Sequence, residues 1–138
     1  MAHTWQMRVC FQDTDAEGIV YHANYLKYAE RARTDWITAL GLSNRGIMAG
    51  GHAIVLRHLE MDFFEPARLD DVLTINVLVD EIKNASMQAR QEVSCGNHRV
   101  AEVRLQLAFV DTTSLRPTRL DPAMKDLFIN YMQHQGEN

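Results

Sequence analysis

Four residues able to carry chemistry stand close together in "DTDAEGIVYH": Asp13, Asp15, Glu17 and His22. Such a set admits two kinds of chemistry. Oxygen and nitrogen donors can hold a cation, or a carboxylate can attack a carbonyl carbon or activate a water that does so. The metal reading lacks its pattern: the distal acidic ligand of a calcium loop is missing, and there is no HExxH run. The expectation is no metal. The carboxylate reading draws support from the adjoining segment, because a helix begins near His22 and a helix start offers unpaired N–H groups and the positive end of a dipole. A carbonyl oxygen resting there would have its developing charge stabilised, with Asp15 attacking the carbon or preparing a water. The residues alone also allow a plainer reading, in which Asp15 caps or closes the turn and His22 is a hydrogen-bonded helix-start residue. Gly18 supplies either an ordinary turn or a close approach to a ligand. No GxSxG elbow is present, and neither Cys10 nor Cys95 stands in a Cys/His arrangement. Both cysteines read as buried free thiols, which fits a reducing cytoplasm.

These residues need elements to hold them. Met7, Val9 and Phe11 alternate with polar neighbours, as in a strand with one face inward. Over 22–40, Tyr25, Ala29, Ala32, Trp36 and Leu40 recur at helical spacing, Gly41 follows as a C-cap, and Glu30 with Arg33 and Arg31 with Asp35 make suitable surface pairs. Residues 43–51 read as a loop or short helical turn. A long strand comes next, with Val55, Leu59, Met61 and Phe63 on one phase and Ile54, Leu56 and Phe64 on the other. Pro66 interrupts it. Strands are expected over 72–82, 86–95 and 99–110, the last two joined by a hairpin at "SCGNHR". Asp121 and Pro122 then open a helix carrying Met124, Leu127, Phe128 and Tyr131, and 134–138 reads as a frayed tail. The class is α+β, a curled antiparallel sheet packed around one long helix, with edge strands that pairing across a two-fold axis would cover.

With 138 residues, 46% of them hydrophobic, the chain is long enough for one cored domain spanning 1–138. A formal charge of -4 argues against a general nucleic-acid binder, which needs a basic footprint. The first residues carry no apolar signal core and no spanning run, so a cytoplasmic protein without membrane insertion is expected.

The runs "DTDAEGIVYHANYLKYAERAR" and "FFEPARLDDVLTI" resemble the 4-hydroxybenzoyl-CoA thioesterase-like branch of the hotdog-fold superfamily, above all the bacterial acyl-CoA thioesterases encoded with the Tol-Pal envelope system. The resemblance implies a curved antiparallel sheet wrapped around a long helix, and homodimers or dimers of dimers (a homotetramer) with sites at the subunit interface. It also implies hydrolysis of an acyl-CoA thioester, with coenzyme A as part of substrate and product rather than a cofactor. The family's catalytic carboxylate falls on Asp15 and its helix-start oxyanion donor on the N–H around His22, whose side chain would position the carbonyl or assist; Gly18 and Tyr21 match the active-site turn. No role attaches to Asp13, Glu17 or Glu30. Basic residues such as Arg57, His58, Arg68 or Lys83 could meet the coenzyme A phosphates, and Leu26, Met48 and Ile54 could line an acyl pocket. An acyl carrier protein is a further candidate partner. Other readings stay open: a non-catalytic acyl-carrier or envelope-machinery interaction protein on the same scaffold, and a hotdog dehydratase or hydratase, which the Asp-containing turn disfavours by resemblance.

Overall fold

The computed structural model describes residues 1–137. Its elements are β1 (His3–Arg8), α1 (Asn24–Ala39), α2 (Asn44–Ala49), β2 (His52–Phe63), β3 (Val72–Ile82), β4 (Ser86–Cys95), β5 (His98–Asp111) and α3 (Pro122–His134). The strands form one antiparallel sheet in the order β1-β3-β4-β5-β2. Period-two patterning decides which face is covered. Leu73, Ile75, Val77 and Val79 of β3 and Ala101, Val103, Leu105, Leu107 and Phe109 of β5 are all buried. Helix α1 lies against β1, β3, β4 and β5, turning Tyr25, Ala29, Ala32 and Trp36 into the core. Gly41, at φ +86°, ends it, with its N–H donating to Thr38 O at 3.0 Å. Residues 43–51 do fold as a helical turn, α2, capped by Ser43, whose Oγ accepts from Gly46 N at 2.9 Å. The outer face is charged: Arg90 meets Asp80 at 2.9 Å and Arg104 meets Asp62 at 2.8 Å.

Several expectations are corrected. Strand β1 begins at His3 and ends at Arg8, so Trp5 and Met7 pack inward, whereas Phe11 is 81% exposed. The chain leaves the sheet because Asp13 Oδ2 accepts from Cys10 N at 2.9 Å and sets a 3-10 turn over Phe11–Asp13. That turn also exposes Cys10; Cys95 is half-buried, so neither thiol is the fully buried hydrophobe expected. Neither helix-surface pair closes as an ion pair among the described residues: Arg33 turns inward to Gln91, and Asp35 takes His3 Nε2 at 2.7 Å. In β2 a bulge between Leu56 and His58 shifts the register, so Ile54 faces the core before it and Leu59 and Met61 after it. The two phases read along the sequence are thus spliced. The tail is anchored at Gln135, whose side chain bonds both Val79 N and Val79 O at 2.8 Å where β1 no longer reaches; Asn138 lies outside the described residues.

The end of β5 has its own pH signature. Asp111 Oδ1 accepts from the N–H groups of Thr113 and Ser114, both at 2.9 Å, and these bonds hold its pKa below 3.8. The folded state therefore binds the proton less well than the unfolded chain, so the stabilisation is present above about pH 3.8 and fades as pH falls through the folded value. Asp111→Ala is expected to lower stability at neutral pH and to flatten the acid limb of the stability curve. Parallel acid limbs for the two proteins, in denaturant melts from pH 2 to 7, would exclude that linkage.

Candidate active site

The acidic turn is a small closed unit. Asp15 N donates to Ile19 O at 2.9 Å, Gly18 N to Asp15 O at 3.0 Å, and Thr14 bridges Val20. Gly18 sits at φ +77°, a conformation other residues adopt only with strain. Asp15 Oδ1 accepts from Glu17 N at 2.9 Å, an Asx turn that fixes the carboxylate, and Oδ2 takes no bond among the described residues. A turn-closing oxygen and an unbonded one thus coexist in one side chain.

The other carboxylates separate clearly. Asp13 is structural: besides its bond to Cys10 N, its carbonyl accepts from Tyr21 N at 3.0 Å and from Asn24 Nδ2 at 2.8 Å. Glu17 is exposed and contributes its backbone to the Asx turn. His22 is also exposed, its ring 4.4 Å from that of Tyr21 and 6.3 Å from that of Phe63. Ordered helix bonding begins just beyond, with Asn24 N on Tyr21 O at 2.9 Å and Tyr25 N on His22 O at 3.3 Å. The N–H groups of His22 and Ala23 have no acceptor among the described residues, which makes them donors available to a ligand.

A second segment clamps this unit. Val20 N donates to Ala67 O at 2.8 Å, Leu69 N to Gly18 O at 3.3 Å, and Ile19 bridges Arg68. Ala67 N in turn donates to the buried hydroxyl of Tyr25 at 3.1 Å. Burial raises the Tyr25 pKa, against the lowering effect of that bond. Between turn, helix and clamp lies a cavity of about 230 Å³, with His22, Tyr25, Phe63, Phe64 and Ile19 among its walls. Tyr25→Phe would leave Ala67 N without its buried acceptor, which costs about 1–3 kcal/mol. Urea melts should register that loss, and an unchanged midpoint would show that the clamp does not depend on the hydroxyl.

Residues 9–128 match the sequence model of the thioesterase-like superfamily. The chain belongs to that family. The acyl-CoA thioester hydrolase YbgC of Escherichia coli O6:H1 is 35% identical over 117 residues, covering 84% of this chain and 87% of that protein. The acyl-CoA thioesterase YbgC of Helicobacter pylori is 33% identical over 132 residues, covering 87% and 95%. A probable thioesterase from Bartonella henselae superposes with a TM-score of 0.82 at 31% identity, covering 88% of this chain and 100% of the other. The α+β class and the hotdog arrangement of this thioesterase-like chain stand on these likenesses together with the observed topology.

Of the residues singled out along the sequence, Asp15, Gly18, Tyr21 and His22 come together in one turn-and-helix-start unit. The basic residues do not gather: Arg68 bridges Ile19 in that unit, Arg57 lies at the bulge, His58 faces Glu60 at 3.7 Å, and Lys83 follows the far end of β3. Ile54 lines a different cavity from the one beside His22, and Met48 is exposed on α2. Sequence reasoning missed Asn24, which ties the helix start to Asp13, and Tyr25, which ties it to Ala67. It also missed the Arg33–Gln91 pair, whose signal is a glutamine at an inward position of β4. Among the described residues no cluster of His, Cys, Asp and Glu is arranged to hold a metal, and no helix is long and apolar enough to cross a membrane.

Proposed function

We infer that this protein hydrolyses acyl-CoA thioesters, with Asp15 as nucleophile or general base. The observation that carries the reading is the pairing of an Asp15 oxygen left free by its Asx turn with two unclaimed N–H groups at the start of α1. The relatives called acyl-CoA thioester hydrolases add the substrate class. In this scheme the carbonyl oxygen rests on the N–H groups of His22 and Ala23, which stabilise it as negative charge develops. Asp15 attacks the carbonyl carbon, or takes a proton from a water that attacks it; the C–S bond then breaks. Water supplies the elements that make the carboxylic acid and the free thiol. Tyr21 and Gly18 shape the turn, and the His22 side chain orients the carbonyl.

Coenzyme A enters as part of the substrate, and the mechanism calls for no metal or further cofactor. The finer reading is of one thioesterase domain in the cytoplasm, within the branch linked to the Tol-Pal envelope system. It assembles as a dimer or dimer of dimers, joined along the β2 edge where Val55, Phe63 and Phe64 are exposed. Free-thiol release from acyl-CoAs of graded length, with acyl carrier protein thioesters in parallel, tests the activity. Binding without thiol release would instead favour the non-catalytic acyl-carrier role, and a monomeric mass in solution would sink the edge pairing.

A further inference from the structure

The long helix carries a second unusual place beyond its first turn. His22, Leu26, Glu30 and Arg33 recur at steps of four, four and three, the spacing of one helical stripe. Strand β2 accompanies that stripe: Phe63 lies against His22 at one end, while Ile54 and Leu56 meet Arg33 around a cavity of about 300 Å³ at the other. The lining is mixed: Ile37, Met87 and Leu107 add apolar surface, while Glu30, Thr34, Asn44 and Arg33 add polar groups. Arg33 is the one cation among them. Its Nη1 donates to Oε1 of the fully buried Gln91 at 2.8 Å, and Gln91 Nε2 is already committed to Ala29 O at 2.9 Å. A guanidinium has five N–H donors, so most of this one remains unused. No carboxylate lies within 4.0 Å of it among the described residues, and burial lowers its pKa against the opposing charge of Glu30. Trp36 lines the same cavity, and its Nε1–H is buried without an acceptor among the described residues. For packing alone, an apolar side chain would be less costly than a poorly solvated cation.

We infer that this cavity receives the distal end of the acyl group, and that Arg33 donates a hydrogen bond to an uncharged oxygen carried there by the substrate. The inference rests on the thioester-hydrolase reading and names the substrate class within it: acyl groups bearing a distal hydroxyl or keto group. Eleven residues of helix put Arg33 roughly 16 Å beyond His22 along the axis, shortened by the backward lean of helical side chains. An extended chain of roughly ten to twelve bonds spans that distance. Glu30, at the same cavity, sets the choice of an uncharged oxygen, since a carboxylate would meet its charge as well as that of Arg33.

The test compares thiol release from dodecanoyl-CoA and 12-hydroxydodecanoyl-CoA by wild type, Arg33→Met and Leu56→Trp. Wild type is expected to favour the hydroxylated chain by roughly 10-fold in kcat/KM, the worth of one hydrogen bond to a charged donor. Arg33→Met is expected to bring that ratio to one or below. Leu56→Trp, which fills the cavity from β2, should slow both long substrates more than it slows hexanoyl-CoA. A wild-type ratio near one, or the same ratio in Arg33→Met, overturns the inference, as does a preference for dodecanedioyl-CoA over the hydroxylated chain. Because each ratio is taken on one preparation, partial misfolding leaves it readable; should Arg33→Met not fold, Arg33→Leu, which likewise has no donor, carries the same comparison. Absence of thiol release from every acyl-CoA with wild type would instead sink the thioester-hydrolase reading itself.

Discussion

Asp15→Asn is expected to lower kcat for acyl-CoA hydrolysis by roughly 100- to 10,000-fold, the range for loss of a positioned general base. The substitution is informative because of how Asp15 is held. Its Oδ1 accepts from Glu17 N at 2.9 Å, and an asparagine oxygen can accept the same bond, so the turn over 15–18 keeps its closure. What disappears is the negative charge and the basicity of the other oxygen. The neighbouring Asp13 serves the 3-10 turn and the helix start, its Oδ2 accepting from Cys10 N at 2.9 Å and its carbonyl from Asn24 Nδ2 at 2.8 Å. A folded variant with an unchanged thermal transition and a release of thiol slowed within that range is the anticipated result. Wild-type turnover would remove Asp15 from the chemistry and leave it as a turn-former.

The largest stability effect is expected at Phe128. This side chain is fully buried, stacked 5.3 Å from Trp36 of α1 and 6.1 Å from Phe109 of β5, and so joins α3 to both layers of the core. Truncation to alanine should cost about 3–5 kcal/mol, through lost burial and the cavity left behind. Domains of this kind are stable by only about 5–15 kcal/mol in all, so Phe128→Ala should either unfold near physiological temperature or melt far below wild type. Denaturant titration gives the number directly. A loss under about 1 kcal/mol, well below the range for a buried aromatic, would mean that α3 is a detachable appendage rather than part of the core.

Elements with regular patterning were legible along the chain. The alternation in β3 and β5 located the inward rows, because a sheet covered on one face imposes a period of two over many residues. The stripe of α1 and its glycine stop were equally plain, as were Asp121 and Pro122 at the start of α3. Less legible was whatever depends on contacts distant in sequence. Phe11 continues an apolar alternation yet faces solvent, because a local bond between Asp13 and Cys10 outweighs the pattern. Arg33 reads as a surface partner of Glu30 until Gln91, from a strand 58 residues away, takes its guanidinium. In the candidate site the turn and the helix start could be read from residue types alone. The clamp from Ala67 through Tyr25 required the fold, since nothing local says that a tyrosine hydroxyl will accept from that N–H.

The bulge in β2 gives this strand two halves that can be altered separately. Before the bulge Ile54 and Leu56 line the cavity around Arg33, and beyond it Leu59 and Met61 face the core while Phe63 joins the aromatic wall beside His22. A protein engineer could therefore randomise 54 and 56 to probe the proposed chain selection without re-registering the residues beside His22. Arg57 alone has no partner on β5, since Leu56 stands opposite Leu107 and His58 opposite Gln106; deleting it would straighten the strand into one unbroken alternation with Ile54, Leu56, Leu59 and Met61 all facing the core, and would merge the two halves into one.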